Sequence, residues 1–338
     1  MDEFSLDDKY SAETGRVYLS GVQALVRLPL VQRRRDLAAG LNTAGFISGY
    51  RGSPLGVYDL ALWKASAFLD SHHVRFWPGV NEDLAATAVW GSQQVKEIGE
   101  SPYDGVFAMW YGKGPGVDRS GDPLKHGSYA GSAAKGGVLV LCGDDHGARS
   151  STVAHQSEQA LVHFGMPVLY PATIQEYLDL GLQGFALSRY AGCWVGFKCV
   201  TDVVEGSATV EVDPARVELR RPADHVLPPE GLGIRIGLYP LAAEARMLAR
   251  LEAAQAWVRA NGIDRVVLAP PRKRLGIVSA GKAWLDVMEA LALLGIDAAR
   301  AEALGLGVYK LGMVWPVEPA GLRAFAAGYE QLLVVEEK

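Results

Sequence analysis

The sequence has few cysteines, no long hydrophobic run and no strong net charge of either sign. Its three cysteines, Cys142, Cys193 and Cys199, form no C-x-x-C pair, so neither an iron–sulfur cluster nor a disulfide framework is indicated within this chain. No apolar segment approaches the roughly 18–20 residues that a membrane-spanning helix needs. Residues 1–4 are acidic and lack a signal-peptide core. With a net charge of −5, the composition predicts a cytoplasmic chain that binds neither membranes nor nucleic acid.

The pattern of strands and helices predicts an α/β protein. The chain has 338 residues, 49% of them hydrophobic, and 39 glycines, which is enough for two domains. Up to residue 204, strand and helix patterns alternate about six times, which indicates a doubly wound, mostly parallel sheet that binds ligands at its carboxyl edge. Residues 205–271 are interpreted as a connector with short strands and a helix. A second α/β pattern occupies residues 272–338.

The stretch from 76 to 95 contains the strongest candidate for a functional residue. A short strand pattern stops at Pro78 and Gly79, Asn81 offers an N-cap, and small residues follow at helical spacing. Glu82 therefore falls in the first turn of a helix, where the unpaired N–H groups favour any carboxylate. The helix is rich in alanine and poor in charge, which predicts burial, and a buried carboxylate usually has a specific partner.

Three further segments follow predicted strands and are expected to meet the start of this helix at one edge of the sheet. Residues 49–56 form a glycine-rich turn whose backbone N–H groups suit an anion, although the spacing is not that of a dinucleotide fingerprint. Residues 112–126 are interpreted as a long polar loop, and residues 143–151 as a strand exit. A helix is predicted to start near Thr152 and to run through Phe164. A metal at Asp144 to His146 is not favoured, since consecutive side chains rarely converge on one ion.

The segments 49–54, 76–95 and 113–151 resemble those of the long fused-chain indolepyruvate ferredoxin oxidoreductases, within the 2-oxoacid:ferredoxin oxidoreductase family. The run Gly-Tyr-Arg-Gly-Ser-Pro at 49–54 is similar to the family's Gly-Tyr-Pro-Gly-Thr-Pro. The segment at 144–151 resembles Asp-Asp-Pro-Gly-Met-His-Ser-Ser, with Arg149 at the histidine position. The resemblance implies a thiamine diphosphate pyrimidine-binding domain at 1–204 and a truncated transketolase C-terminal-like domain at 272–338.

The resemblance also implies roles for individual residues. Glu82 is expected to share a proton with N1′ of thiamine diphosphate, as the catalytic residue. The remaining expectations fall into two sets. Those for cofactor binding are Gly52, Ser53, Pro54 and Glu82; those for substrate binding are Arg51, Ser53, Lys113, His126, Arg149 and Ser150.

The reaction implied is the oxidative decarboxylation of an indolepyruvate-type 2-oxoacid to an acyl-CoA, with electrons passed through iron–sulfur clusters to ferredoxin. No metal ligand is expected in this chain, because Mg²⁺ and [4Fe–4S] clusters would be held elsewhere in the complete enzyme. The implied partners are the 2-oxoacid, CoA, ferredoxin, the remaining domains or subunits, and further copies in a homo-oligomer. The chain alone is expected to be inactive.

Two other readings of the sequence remain open. The first is another thiamine diphosphate enzyme, of the transketolase or 2-oxoacid dehydrogenase type, which shares the glutamate but not the segment at 113–126. The second is a non-catalytic α/β module that binds CoA or a nucleotide, in which Glu82 is merely a carboxylate at a helix end.

Overall fold

The computed structural model describes residues 5–149, 151–235, 237 and 240–338, and Ser150 therefore lies outside the described residues. The strands are β1 Gly15–Ser20, β2 Ala44–Gly49, β3 Val74–Phe76, β4 Val106–Lys113, β5 Val138–Asp144, β6 Val168–Leu169, β7 Trp194–Val200, β8 Ser207–Val212, β9 Arg265–Leu268, β10 Leu275–Ala280, β11 Leu306–Leu311, β12 Met313–Trp315 and β13 Gln331–Val335. The helices are α1 Asp8–Ser11, α2 Gly21–Ala38, α3 Tyr58–Lys64, α4 Ser66–Ser71, α5 Glu82–Gln93, α6 Val95–Ile98, α7 Gly114–Arg119, α8 Gly121–Ala130, α9 Glu158–His163, α10 Ile174–Ala191, α11 Thr201–Val204, α12 Pro240–Asn261, α13 Gly281–Leu293, α14 Ala298–Leu304 and α15 Pro319–Ala326.

A large sheet forms the centre of the molecule. In the described part of the chain it has seven strands, in the order β12-β6-β7-β5-β4-β2-β3. All neighbouring pairs are parallel except β12 with β6. Every residue of β5 is buried, as expected for a central strand that is covered on both faces. Helices α2 and α10 pack on one face, and α5 and α8 on the other. The predicted mostly parallel α/β fold is confirmed.

The parallel strands end together at one edge of this sheet. Gly49 at the end of β2 pairs with Tyr111 of β4, and Lys113 at the end of β4 pairs with Gly143 of β5. The segments that follow β2, β3, β4 and β5 therefore emerge side by side. The prediction that these segments share one edge of the sheet is confirmed.

A smaller sheet lies in the C-terminal part of the chain. Among the described residues its strand order is β13-β10-β11-β9, parallel except where β9 meets β11. Strand β12 follows β11 directly but joins the large sheet. The interdomain contact includes an ion pair between buried Lys310 of β11 and Glu176 of α10. The domain boundaries at 204 and 271 stay predictions.

Arg250 of α12 fastens the connector to the first sheet's helical layer. Its guanidinium is fully buried and donates to carbonyl oxygens at 128–130, which end α8, and to the carbonyl of Leu232, at 2.9–3.2 Å. Burial lowers the pKa of Arg250 to about 10. The last carbonyl groups of a helix have no hydrogen-bond donor within the helix, and Arg250 supplies donors to those of α8.

Two sequence expectations about secondary structure are wrong. Residues 112–126 are not a polar loop, because α7 and the start of α8 occupy them, with Pro115 at the second helical position, where a missing N–H costs nothing. The helix expected from Thr152 begins instead at Glu158. No helix in the described ranges is both long and apolar enough to cross a bilayer.

Candidate functional site at the carboxyl edge of the sheet

Helix α5 begins at Glu82, as the sequence predicts. The side chain of Asn81 accepts a hydrogen bond from the N–H of Leu84 at 2.9 Å, which caps the first turn. The buried indole of Trp110 donates to the carbonyl oxygen of Glu82 at 3.1 Å. Upstream, the N–H of Gly79 donates to the carbonyl of Gly49 at 2.8 Å, which joins the turn before α5 to the end of β2. The backbone of Glu82 is thus fixed from both sides.

The carboxylate of Glu82 is buried yet receives no hydrogen bond from the residues described. The side chain is 9% exposed. Its nearest cation is Arg119, whose Nε lies 4.0 Å from Oε2 and 3.5 Å from the neighbouring carboxylate of Asp83. On another side, Gly116 of α7 approaches so closely that a Cβ there would lie 2.8 Å from Cγ and 2.9 Å from Oε1 of Glu82. A largely buried carboxylate that accepts no hydrogen bond from the protein keeps acceptor capacity for a ligand.

The glycine-rich turn after β2 packs against the ends of the two adjacent strands. A Cβ on Gly52 would come within 2.8 Å of the Lys113 side chain, so the stem of that lysine lies across the glycine. Pro54 contacts the position of Gly143, where a Cβ would lie 3.1 Å from the proline ring. The Ser53–Pro54 peptide bond is cis. Gly52, Ser53, Pro54 and Lys113 are therefore brought together at one place.

Arg51 lies at the exposed rim of the same turn, near a buried carboxyl group. The hydroxyl of Tyr111 donates to Asp59 at 2.5 Å. Burial raises the pKa of Asp59, whereas the hydrogen bond from Tyr111 and the positive charge of Arg51 oppose that increase. Arg51 has no hydrogen-bonded partner among the described residues and is free to meet an anion.

His155 and Asp118 form a link between the end of β5 and α7. His155 Nε2 lies 2.9 Å from Asp118 Oδ2, and its Nδ1 lies 3.8 Å from Asp144 Oδ1. The carboxylates of Asp144 and Asp118 raise the pKa of His155 to about 9. The ring also lies directly over Gly114, where a Cβ would overlap Nδ1. The raised pKa favours the protonated imidazole, which is hydrogen-bonded to Asp118 and lies near Asp144.

Asp144 is the buried anchor of this link. Burial opposes its ionisation, but His155, Lys198 and Ser157 together hold the pKa of Asp144 below its ordinary value. Ser157 donates from its N–H at 3.0 Å and from its hydroxyl at 2.6 Å. Lys198, fully buried near the end of β7, lies 3.6 Å from Asp144 and pairs with Glu158. No group of three or more acidic, histidine or cysteine side chains in the described ranges is arranged to hold a metal ion.

The structure does not bring every predicted residue to the site. Arg149 turns away and pairs with Asp202 at 2.7 Å. His126 stacks on Trp90, which stands eight residues beyond Glu82 in α5, a rise of roughly 12 Å along that helix. The predicted role of Ser150 falls on a residue outside those described.

Sequence reasoning missed Arg119, His155 and Lys198. Arg119 belongs to the segment at 113–126, but its contact with Glu82 follows from α7, which was predicted as a loop. His155 was placed in a helix, where its neighbours would have been the residues one turn away. Lys198 is the third residue from the end of a predicted strand, and a charged residue within that otherwise apolar strand was the available signal.

An apolar surface adjoins the site on the outer side of α5. A cavity of about 670 Å³ lies between α5 and the ends of β2 and β3. Trp77, Val80 and Leu84 border it and are respectively 63%, 82% and 55% exposed. Large apolar side chains grouped in this way are typical of surfaces that another protein covers.

Comparison with solved structures defines the class of fold. The chain is similar to 2-oxoglutarate:ferredoxin oxidoreductase from Magnetococcus marinus, with a TM-score of 0.69 and 16% identity, over 95% of this chain and 58% of that one. It is also similar to transketolase from Leishmania mexicana, with a TM-score of 0.51 and 12% identity, over 98% of this chain and 41% of that one. The fold is that of the 2-oxoacid:ferredoxin oxidoreductases and transketolases, and the predicted fold class is confirmed.

Comparison of sequences finds similarity to the indolepyruvate oxidoreductases. Residues 265–338 match the family model of the indolepyruvate oxidoreductase domain. The whole chain is 28% identical over 343 residues to the indolepyruvate oxidoreductase subunit IorA of Methanothermobacter marburgensis, covering 98% of this chain and 48% of the relative. The chain thus spans about half the length of that relative. The resemblance to the indolepyruvate oxidoreductases, inferred above from the motifs, is confirmed.

Proposed function

We propose that this chain supplies the pyrimidine-binding part of a thiamine diphosphate-dependent 2-oxoacid:ferredoxin oxidoreductase of the indolepyruvate type. The reaction is the oxidative decarboxylation of a 2-oxoacid to an acyl-CoA, with electrons passed to ferredoxin. One observation carries the proposal. Glu82 is a largely buried carboxylate in the first turn of α5 that accepts no hydrogen bond from the described residues and has Arg119, at 4.0 Å, as its ion-pair partner. The similarity to indolepyruvate oxidoreductase subunits supports the same assignment.

The residues present fit the aminopyrimidine end of thiamine diphosphate. Glu82 accepts no hydrogen bond from the described residues, its ion-pair partner Arg119 lies 4.0 Å away, and Gly116 leaves the carboxylate without a bulky neighbour on that side. When bound, the cofactor supplies a carbon nucleophile for the keto group of the substrate. Glu82 holds the proton at N1′ and so sets the protonation state of the ring. Its placement on a capped helix within a packed layer limits the movement of the carboxylate.

The cationic rim of the site suits the carboxylate of a 2-oxoacid. Arg51, Ser53 and Lys113 lie together on the glycine-rich turn and the end of β4, and a guanidinium can bind a carboxylate through two parallel hydrogen bonds. Arg149 is the second cation proposed to bind the substrate carboxylate. To do so, Arg149 must break its ion pair with Asp202 and pair with the substrate instead.

Other parts of the complete enzyme are proposed to hold Mg²⁺, the diphosphate and the [4Fe–4S] clusters. The three thiols of this chain are buried in or beside the strands, and burial raises the pKa of Cys193 to about 12, so these thiols do not fit as cluster ligands. CoA and ferredoxin are the further partners. The apolar surface along α5 supports the proposal that a remaining domain, subunit or second copy covers the site.

The test compares Glu82→Gln with Glu97→Gln in the assembled enzyme. The amide cannot share the N1′ proton, so kcat for 2-oxoacid-dependent ferredoxin reduction should fall by at least about 100-fold. Glu97 is an exposed glutamate on the adjacent α6, and its replacement should leave kcat unchanged. Calorimetric titration with thiamine diphosphate and Mg²⁺ accompanies the kinetics.

Each alternative predicts a different result in the same experiment. A transketolase or dehydrogenase type would bind thiamine diphosphate and depend on Glu82, but would not reduce ferredoxin. A CoA- or nucleotide-binding module would bind no thiamine diphosphate. Wild-type turnover in Glu82→Gln would remove Glu82 from the mechanism.

A further inference from the structure

Helix α7 is too short and too rich in glycine to be stable without contacts to the rest of the protein. It has six residues, Gly114–Arg119, and two of them are glycines. Isolated helices of this length are unstable in water, and each glycine costs up to about 1 kcal/mol relative to alanine. Contacts with the rest of the protein must therefore keep α7 in place.

The two glycines of α7 face two different ionisable groups. Gly116 lies against the carboxylate of Glu82, and Gly114 lies under the imidazole of His155. Any side chain at either position would collide with the group that it faces. Helix α7 is therefore a spacer between His155 and Glu82, with a glycine facing each of the two groups. It forms one wall of the space that holds the Glu82 carboxylate.

His155 is one of the side chains that fasten this spacer, together with buried Val117 and with Arg119, which pairs with Asp83 at 3.5 Å. His155 bonds Asp118 of α7 through Nε2, and its backbone N–H donates to the carbonyl of Asp145 at 3.1 Å, next to the end of β5. Asp144, on the other side of the ring, is fixed by Ser157. A cation held between two carboxylates is a stronger link than a neutral hydrogen bond.

We propose that His155 is a positioning residue that holds α7 against Glu82 and so places the catalytic carboxylate. No hydrogen bond or ion pair joins His155 to Glu82 among the described residues, and His155 acts through α7. The inference rests on the proposed function for the role of Glu82, but the attachment of α7 to His155 is independent of it.

The protonation state of His155 gives the link a pH dependence. The carboxylates of Asp144 and Asp118 raise its pKa to about 9, above the value of roughly 6.5 in an unfolded chain. The protonated form is therefore favoured by folding, and its contribution is complete below about pH 6.5 and lost as the pH rises through about 9. Further charged or titratable groups on the elements packed around the ring, among the described residues, include Asp145, Glu158, Lys198, Arg119 of α7, and His146, whose Nε2 lies 3.1 Å from Lys198 Nζ.

The first experiment measures hydrogen exchange of the amides at 116–120 in the full chain without cofactor. Replacing His155 by Gln removes the positive charge, and Asp118→Asn removes the negative charge of its partner, whereas His163→Gln changes an exposed histidine of α9 as a control. Protection of these amides should fall by about tenfold to a hundredfold in the first two variants, the range expected for losing a hydrogen bond between charged groups. It should be unchanged in the control, and amides of β5 should stay protected in all three.

The second readout is the pH profile of the same protection, corrected for intrinsic exchange. In the wild-type chain, protection of 116–120 should decline between pH 7.5 and pH 10. In His155→Gln it should already be low and independent of pH across that range. A merely structural contact would not produce this difference between the two profiles.

The third readout uses the assembled enzyme and separates this inference from the proposed function. His155→Gln should lower kcat by about tenfold or more and leave KM for the 2-oxoacid within about twofold, because the substrate contacts are elsewhere. Unchanged protection in both His155→Gln and Asp118→Asn would overturn the inference even if Glu82→Gln is inactive. Lost protection together with a fully active Glu82→Gln would support the attachment of α7 and refute the catalytic glutamate.

Discussion

Gly116→Ala tests whether the space around the Glu82 carboxylate matters for catalysis. The added methyl group would lie 2.8 Å from Cγ and 2.9 Å from Oε1 of Glu82. Carbon atoms pack at about 3.5–4.0 Å, so the carboxylate and α7 must separate by roughly 0.7 Å. A displacement of about 1 Å in a catalytic group costs on the order of a hundredfold in rate. We therefore expect kcat to fall by about 10- to 100-fold.

The same substitution should change the stability of the fold very little. Overpacking costs about 1–3 kcal/mol, but alanine restores about 1 kcal/mol of helix propensity at a helical glycine. The free energy of unfolding, measured by denaturant titration, should fall by no more than about 2 kcal/mol. Loss of activity would then arise from the position of Glu82 and not from unfolding.

Gly91→Ala is the matched control. Gly91 belongs to α5, the helix of Glu82, and a Cβ there meets nothing within 4 Å. This variant should be as stable as the wild type or up to about 1 kcal/mol more stable, with unchanged turnover. Because Gly91 also lines the apolar surface along α5, gel filtration of the assembled enzyme checks that assembly is unchanged. The reasoning is refuted if Gly116→Ala retains wild-type kcat in the assembled enzyme, or if Gly91→Ala loses as much activity.

Two further predictions concern arginines proposed to bind the substrate and an arginine that stabilises the fold. Arg51→Ala and Arg149→Ala should each raise KM for the 2-oxoacid by about tenfold with a smaller change in kcat, because a lost carboxylate contact weakens substrate binding; an unchanged KM in both variants would place them outside the site. The ion pair of Arg149 with Asp202 is exposed, so its loss should cost less than about 1 kcal/mol of stability. Arg250→Leu should lower the free energy of unfolding by about 3 kcal/mol or more, since it leaves four carbonyls without their donor, and a denaturant midpoint equal to that of the wild type would contradict this.

The start of α5 was predictable from sequence because its signals are local. Pro78 and Gly79 end a strand, Asn81 caps the helix, and Glu82 occupies the first turn, all within five residues. Such signals depend on backbone groups nearby in the chain, so they indicate a helix start whatever the tertiary contacts are. The order of strands and loops then placed Glu82 at the carboxyl edge of the sheet.

The surroundings of Glu82 were not predictable in the same way. Gly114 and Gly116 disfavour a helix locally, and the packing of Val117 and the link to His155 override that preference. His155 itself was assigned to a helix because its neighbours fit one, whereas the structure pairs its backbone with Asp145. The contacts of α7 with Glu82 and His155 join residues more than thirty positions apart, whereas the backbone pairing of His155 with Asp145 spans ten positions. A single sequence carries no direct record of either.

The path of the chain between the two sheets limits how the protein can be divided. Strand β9 precedes residue 271 and completes the smaller sheet, while β12 follows that residue and completes the larger one. A gene split at 271 would leave each product without an edge strand that the other carries, and would bare the hydrogen-bonding edges of β6 and β11. The two halves should therefore be insoluble when they are produced separately, and they should be soluble only when they are produced together. Domain exchange between relatives should succeed at breakpoints that move β9 to β13 as one block, because that block keeps the smaller sheet whole and carries β12 with it.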